Sequence, residues 1–386
     1  FFFKQKTAYE IYQCDWSSDV CSSDLNGTTE NRGGESTLGN LVAEVQRWAT
    51  EQPESGSAQI AFMNPGGLRQ DMAGTGSGSP RDLTYKQAAV VQPFANTLVN
   101  MRLTGAQIET VLEQQWQRTT CGAVPSRPFL RLGVSSGFTY TYVETPVTVN
   151  GTQTFQGEVT GMWLDGVAVD AAQAYSVTVN SFLASGGDNF FELANGANKK
   201  DTGKIDLQAM VDYMAAKASG TPLPVDGSQH AVEVEFPSDA PASYSPGSHV
   251  RFAVGSLAMS TAADAKDAEL QVKLGDQVLG SVPVDNTIGT AVYDQYGTAT
   301  VDVVLPAGTP GGVVTLSLVG AQSGTQVRLP ITVTGGGVVT PPATPQSVSA
   351  AVTVKPKKVV VGKTRAKVLV DVVDAAGKPV TGQVVI

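Results

Sequence analysis

From Ser36 onward the apolar positions Leu38, Leu41, Val42, Val45 and Trp48 recur at the i, i+3, i+4 spacing of a helix, with Ser36 or Thr37 as its cap. A short apolar run, Ile60 to Met63, reads as a strand that ends in the turn signal Asn64-Pro65-Gly66-Gly67. A Gly/Ser-rich loop from Gly74 to Ser79 follows, and Thr104 then caps a second amphipathic helix through Ile108, Val111, Leu112 and Trp116. From Phe129 to Asn180 the period shortens to alternation (Phe138, Tyr140, Tyr142; Val177, Val179), which predicts mostly strands, and a further helix is expected from Leu207 to Ala218. Strands and helices mixed without strict βαβ alternation predict an α+β domain over residues 26–228.

After Pro224 the texture changes. Leu270/Val272/Leu274, Val301/Val303/Leu305 and Val327/Leu329/Ile331/Val333 alternate strictly between Gly, Pro and Asp turns. Short strands at regular spacing predict an all-β, immunoglobulin-like sandwich over residues 229–335. A Gly/Pro linker is expected at 336–346, and residues 347–386 repeat the β texture as a partial second β-module. That last stretch carries Lys355, Lys357, Lys358, Lys363, Arg365, Lys367 and Lys378, a basic cluster that fits a solvated strand face better than a wall-binding patch.

The first 25 residues have no helical or strand period, and the strings Lys4–Ile11 and Cys14–Leu25 resemble translated sequencing adapters, so this stretch is expected to add nothing to the fold. The chain is then expected to be a piece of a longer gene product. Setting those residues aside removes Cys14 and Cys21 and leaves Cys121, which excludes an intramolecular disulfide. With 41% hydrophobic and 16% charged residues, the 386-residue chain can bury real cores. Its net charge of −9 argues against a broad nucleic-acid or anionic-membrane surface. No apolar stretch is long enough to span a bilayer. Two histidines, His230 and His249, leave no basis for a His-rich metal site, so no metal ligand is expected in this chain.

Gly133-Val134-Ser135-Ser136-Gly137 matches G-x-S-x-G, with Asp188 and His230 downstream in α/β-hydrolase order. A nucleophile elbow needs a helix directly after the serine, whereas Phe138, Tyr140 and Tyr142 predict a strand, so no triad is expected. Three loops form a more coherent set. Asn64–Arg69 ends a strand in paired glycines that allow close backbone approach, with an arginine beside them. Gln92–Asn96 places a ring, Phe94, and an amide, Asn96, on a loop. Phe182–Asp188 places a second ring after a strand, then a Gly-Gly turn and a carboxylate. Two rings can sandwich a heterocycle, a carboxylate can accept from both ribose hydroxyls, and arginines can grip phosphate. These are the elements of a site for a nucleotide.

Taken in order, Glu35–Leu41, Asn64–Arg69, Gln92–Asn96, Leu103-Thr104-Gly105 and Phe182–Asp188 resemble the C-terminal, substrate-binding domain of the 5′-nucleotidase family, over residues 26–228. The resemblance implies that Phe94 and Phe182 stack on the base and Asp188 holds the ribose. Arg32 and Arg69 would hold the phosphate, and Asn64, Asn96 and Gly137 would complete the substrate pocket. Pro65 stands where the family usually has Gly or Ser. The family's catalytic groups are not expected here, because they lie in a preceding metallophosphoesterase domain that carries divalent metals. The resemblance thus implies the nucleotide-binding portion of an extracellular or cell-surface phosphohydrolase. Such a piece is expected to bind nucleotide weakly and to hydrolyse nothing by itself. The competing readings are a cell-surface adhesion or wall-binding protein and a related extracellular nuclease.

Overall fold

The computed structural model describes residues 12–14, 24–25, 29–72, 74–75, 80–258, 265–289, 293–335, 349–355 and 367–373. The linker expected at 336–346 and most of the closing basic cluster lie outside these residues.

Helix α1, Thr37–Ala49, is capped by Ser36, whose Oγ accepts from the Gly39 amide at 2.9 Å. Its Leu38, Val42, Val45 and Ala49 are buried against Met210 and Met214 of a later helix, as the spacing predicts. Helix α2, Tyr85–Val91, has no counterpart in the sequence reading; it opens with a reciprocal capping box between Thr84 and Gln87. Helix α3, Gly105–Glu113, carries the same box between Thr104 and Gln107 and buries Ile108, Val111 and Leu112. It stops before Trp116, which instead bridges to Phe129 as an isolated β-pair. Helix α4, Ser181–Ala184, is a single turn capped by Asn180, and α5, Asp206–Lys217, falls where a helix is expected.

The helices flank a five-stranded mixed sheet whose order is Ala197–Ile205, Thr97–Thr104, Ala174–Asn180, Ile60–Met63, Gly133–Val134. Ala174–Asn180 runs parallel to Ile60–Met63 and antiparallel to Thr97–Thr104. The turn after Ile60–Met63 and the short helix after Ala174–Asn180 therefore leave neighbouring strands at one end of the sheet, and this is what brings Asn64 and Asn180 together.

A second, six-stranded sheet holds Val167–Ala168, Thr152–Leu164, Phe138–Val149, Ala231–Glu235, His249–Gly255 and Ala299–Val304 in that order. Phe138, Tyr140 and Tyr142 alternate inward and are fully buried, the expected pattern. Strand Ala231–Glu235 pairs in parallel with Phe138–Val149 and antiparallel with His249–Gly255. Hydrogen bonding thus runs unbroken through the change of texture near residue 228. The apolar interiors stay separate. One cluster centres on Phe62, Trp116 and Phe138, whereas another joins Val250, Phe252, Val301 and Val303 to Leu270, Val272, Leu316 and Leu318 of a four-stranded antiparallel sheet. The residues predicted to alternate there are buried, with Leu274 packed at the edge.

Tyr12–Cys14 is hydrogen-bonded antiparallel to Arg81–Leu83, a difference from the expectation that the first 25 residues add nothing. Near the other end, Ser349–Lys355 and Lys367–Val373 pair as an antiparallel ribbon.

Candidate functional site

The turn after Ile60–Met63 is a short 3₁₀ segment, Pro65–Gly67, with proline at its first position, where its missing N–H costs nothing. Gly66 lies at the meeting point of three predicted site residues. A Cβ built there would sit 3.0 Å from Asp188 Oδ2, 3.2 Å from Arg32 Nη1 and 3.5 Å from Asn64 Nδ2. A side chain there would press on the carboxylate and the guanidinium, so glycine leaves room for the three groups to gather over the turn.

Asp188 is held by both its side chain and its backbone. Asn64 Nδ2 donates to Asp188 Oδ2 at 2.7 Å. Its backbone is left-handed (φ 51°, ψ 33°), as is that of Asn189 (φ 60°), a conformation that Asp and Asn tolerate better than other side chains. Asn189 Nδ2 in turn donates to Gln117 Oε1 at 2.8 Å, which ties this bend to the segment following α3.

Phe94 and Phe182 both face outward, at 56% and 46% exposure, among many aromatic rings that are buried. Among the described residues neither packs against another aromatic ring. The Arg69 guanidinium lies 5.9 Å from the centre of the Phe94 ring and donates to the Gly66 carbonyl at 3.3 Å, so it bridges the ring and the glycine turn. Phe182 lies over Gly187, where a Cβ would meet its ring at 2.5 Å. The two ring-bearing loops are joined by Ser181 Oγ donating to Asn96 Oδ1 at 3.5 Å.

Arg32, Asn64 and Asp188 thus converge, with Arg69 adjacent. Two other predicted residues make contacts away from Gly66. The Asn96 amide is committed to Asp206 at the start of α5: backbone N and Nδ2 approach Asp206 Oδ2 at 3.2 and 3.3 Å. Gly137, with φ +83°, makes a turn against Asp165, whose Oδ1 would meet a Cβ at 2.3 Å. No described contact joins Gly137 to the Gly66 cluster.

The residues of the G-x-S-x-G match are likewise engaged apart from one another. Ser135 Oγ accepts from the Ala61 amide at 2.9 Å, Asp188 is bound to Asn64, and His230 pairs with Glu35. His230 is buried. The Glu35 carboxylate accepts from the His230 amide (2.8 Å), the Ala231 amide (3.0 Å), Asn40 Nδ2 (2.7 Å) and His230 Nδ1 (3.0 Å). Burial pushes Glu35 up, but the hydrogen bond and charge of His230, with Asn40, hold it below the ordinary value. Burial would lower His230, and Glu35 outweighs it and raises the imidazole above its usual range.

Beside this pair Arg131, fully buried, donates to the hydroxyls of Tyr140 and Tyr142 at 2.8 Å each and faces Asp294 at 3.3 Å. Sequence reasoning missed this network and Asn180. A signal for the first was present, a lone arginine inside the apolar run Phe129-Leu-Arg-Leu-Gly133, because a charge there must find partners. For Asn180 the signal was an N-cap residue type directly before Ser181-Phe182-Leu183.

A cleft of about 580 Å³ on the β-rich half is lined by Glu233, Glu235, Asp285 and neighbouring strand residues, and includes none of the predicted site residues. Among the described residues no group of three or more His, Cys, Asp or Glu side chains is placed to hold a metal ion. No helix among them is long and apolar enough to cross a membrane.

Residues 19–195 match the family model described as 5′-nucleotidase, C-terminal domain. A cell wall protein of Listeria monocytogenes is 30% identical over 210 residues, covering 53% of this chain and 24% of that protein. A trifunctional nucleotide phosphoesterase of Bacillus subtilis is 29% identical over 209 residues, covering 53% of this chain and 13% of that protein. A 5′-nucleotidase precursor structure from Thermus thermophilus aligns with a TM-score of 0.37 at 27% identity, covering 50% of this chain and 36% of that one. The matched region is thus a minor part of each of these proteins.

Proposed function

We propose, for a chain that carries a 5′-nucleotidase C-terminal domain, that this domain holds a nucleotide on the loops around Gly66. The base lies between Phe94 and Phe182, the ribose hydroxyls donate to Asp188, and the phosphate is directed to Arg32 and Arg69. The observation that carries this reading is the convergence of Asp188, Arg32 and Asn64 on a bare glycine, flanked by two phenyl rings left half in solvent. Exposed rings cost apolar hydration, which a flat heterocycle relieves on binding. Asn64 anchors the carboxylate, Asn96 holds the Phe94 loop in place through Asp206 and Ser181, and Gly137 serves the fold rather than the ligand.

The chain's own groups bind and orient; arginines stabilise phosphate charge but generate no nucleophile. Hydrolysis then belongs to a partner domain of metallophosphoesterase type, which would supply divalent metals to polarise phosphate and water. Titration calorimetry with AMP tests the binding half. Phe94→Ala and Phe182→Ala are each expected to weaken AMP binding by about 5- to 150-fold, the equivalent of ~1–3 kcal/mol of stacking. Unchanged affinity in both variants would sink the clamp. Mixing the chain with AMP and divalent metal is expected to release no phosphate, and appreciable turnover would mean that a catalytic centre lies in this chain.

The strands from Ala231 to Val333 read, in the same proposal, as an immunoglobulin-like sandwich, supported by two sheets that share one apolar cluster. A location outside the cell is part of the proposal, and the Listeria cell wall protein supports it. That relative also favours a second reading, a surface protein that uses the domain as a scaffold; such a protein would show no AMP binding before any substitution.

A further inference from the structure

Asn180 is 2% exposed and closes the strand Ala174–Asn180. Its Oδ1 accepts from the Leu183 amide at 2.9 Å, the N-cap bond of α4. Its Nδ2 donates to Asn64 Oδ1 at 3.0 Å, and Asn64 Nδ2 donates to Asp188 Oδ2 at 2.7 Å. The direction of this series is set from one end. A backbone N–H can only donate, so Asn180 must present its oxygen to Leu183 and its NH₂ to Asn64. Asn64 must then present its oxygen to Asn180 and its NH₂ to the carboxylate. One helix-capping bond therefore determines the polarity of two side-chain amides and ends on a single oxygen of Asp188.

We infer that Asn180 is a positioning residue for the sugar-binding carboxylate: through Asn64 it pins Asp188 Oδ2 and leaves Oδ1 to face the ribose diol. The inference rests on the nucleotide site proposed above and adds to it the group that orients its acid. The same asparagine caps the turn that carries Phe182, so the base-stacking ring and the sugar-binding acid are set by one side chain.

The substitution that isolates this role is Asn180→Asp. A carboxylate keeps the cap, since it still accepts from Leu183, but it cannot donate to Asn64. Asn64 is then driven to turn its NH₂ toward the new acid and its oxygen toward Asp188, which reverses the last bond from attraction to repulsion. Asn180→Ser keeps a capping oxygen without added charge and serves if the first variant does not fold.

Adenosine and 2′,3′-dideoxyadenosine, titrated calorimetrically into the full chain, separate sugar recognition from stacking. The unmodified chain is expected to prefer adenosine. In Asn180→Asp, adenosine binding falls by about 10- to 100-fold, as for loss of a charge-assisted hydrogen bond, while dideoxyadenosine binding stays near that of the unmodified chain; the added buried carboxylate lowers the melting temperature. In an Asp188→Ala background the same substitution is expected to have no further effect on adenosine. Equal weakening of both nucleosides, or an undiminished effect without Asp188, would assign Asn180 to the fold alone and overturn the inference. An unmodified chain that binds neither nucleoside would overturn the nucleotide site itself and the inference with it, and one that binds both equally would remove Asp188 from sugar recognition.

Discussion

Above the pH of about 7 at which the buried Asp294 ionises, replacing Arg131 with methionine lowers the free energy of unfolding by about 3–5 kcal/mol, the loss typical of removing one partner from a buried ion pair. Arg131 and Asp294 are each 1% exposed at the side chain and 3.3 Å apart. The guanidinium also lies 4.9 Å from the ring centres of both Phe129 and Tyr142, so methionine fills some of the volume but removes a donor shared by two phenol hydroxyls and one carboxylate, leaving Tyr140 to Gln115, Tyr142 to Ser256 and Asp294 to the Glu35 amide. The expected readout is a lower urea midpoint at constant slope. Asp294→Asn introduced into the same variant removes the stranded charge and is expected to recover part of the loss. The location of the network explains why it matters to the whole chain. Glu35, Asn40 and Arg131 come from one side of residue 228, and His230, Ser256 and Asp294 come from the other. A loss below about 1 kcal/mol, the range of solvent-exposed pairs, would show that these charges are not buried together.

Stability is expected to fall as pH rises from about 4 to 7, a direction opposite to ordinary acid denaturation. Burial pushes Asp294 up to about 7 from an ordinary 3.8; Arg131 only partly offsets it, and the negative Glu35 and Glu144 nearby oppose its ionisation. A carboxyl that keeps its proton when folded and loses it when unfolded stabilises the fold most at the acid end of this window. That contribution disappears as pH climbs through the interval, by on the order of 4 kcal/mol at the limit. Glu233, pushed up to about 7 by burial and by Glu144, acts in the same direction. His230, raised in the fold, adds stability that is complete below its ordinary value of 6.5 and is lost as pH rises through the folded one. Glu35 acts in the opposite sense: its contribution is present above 4.5 and is lost as pH drops through its depressed folded value, so the trend reverses in stronger acid. Urea midpoints measured across this range check the slope, and Asp294→Asn is expected to flatten it. A midpoint that climbs between pH 5 and 7 would contradict the burial of these acids.

Local elements were legible because their signals are local. The run Ile60–Met63 reads as a strand at its observed ends, the α1 stripe faces the core as spaced, and Thr104 caps α3. Helix α2 was passed over because Tyr85–Val91 follows a Gly/Ser-rich stretch and shows less than two turns of periodicity, and its capping box supplies what the stripe does not. The break expected near residue 228 marks a real change of residue texture and a change of apolar cluster, but the six-stranded sheet continues across it because Ala231–Glu235 finds the open edge of Phe138–Val149.

The same division holds at the site. Residue types and their order along the chain were sufficient to nominate the loops of Asn64–Arg69, Phe94 and Phe182 with Asp188, since glycine turns, exposed-loop aromatics and a following acid are all short-range patterns, whereas Arg32 and Gly137 entered only through the family resemblance. Which of them meet was settled only by tertiary packing. Asn96 donates to Asp206 and the Gly137 carbonyl accepts from the Asp165 amide, while Asn180 enters because parallel pairing sets its strand end beside Asn64. Glu35 and His230 are 195 residues apart and carry no mutual periodicity; they are partners because burial makes an unpaired charge or imidazole costly and the fold brings the two to one place. The amino-acid order by itself determined most of the elements, the two textures and the chemical inventory of the loops. The tertiary structure alone decided the pairings, because a hydrogen bond between distant residues has no energy to express until both have left water.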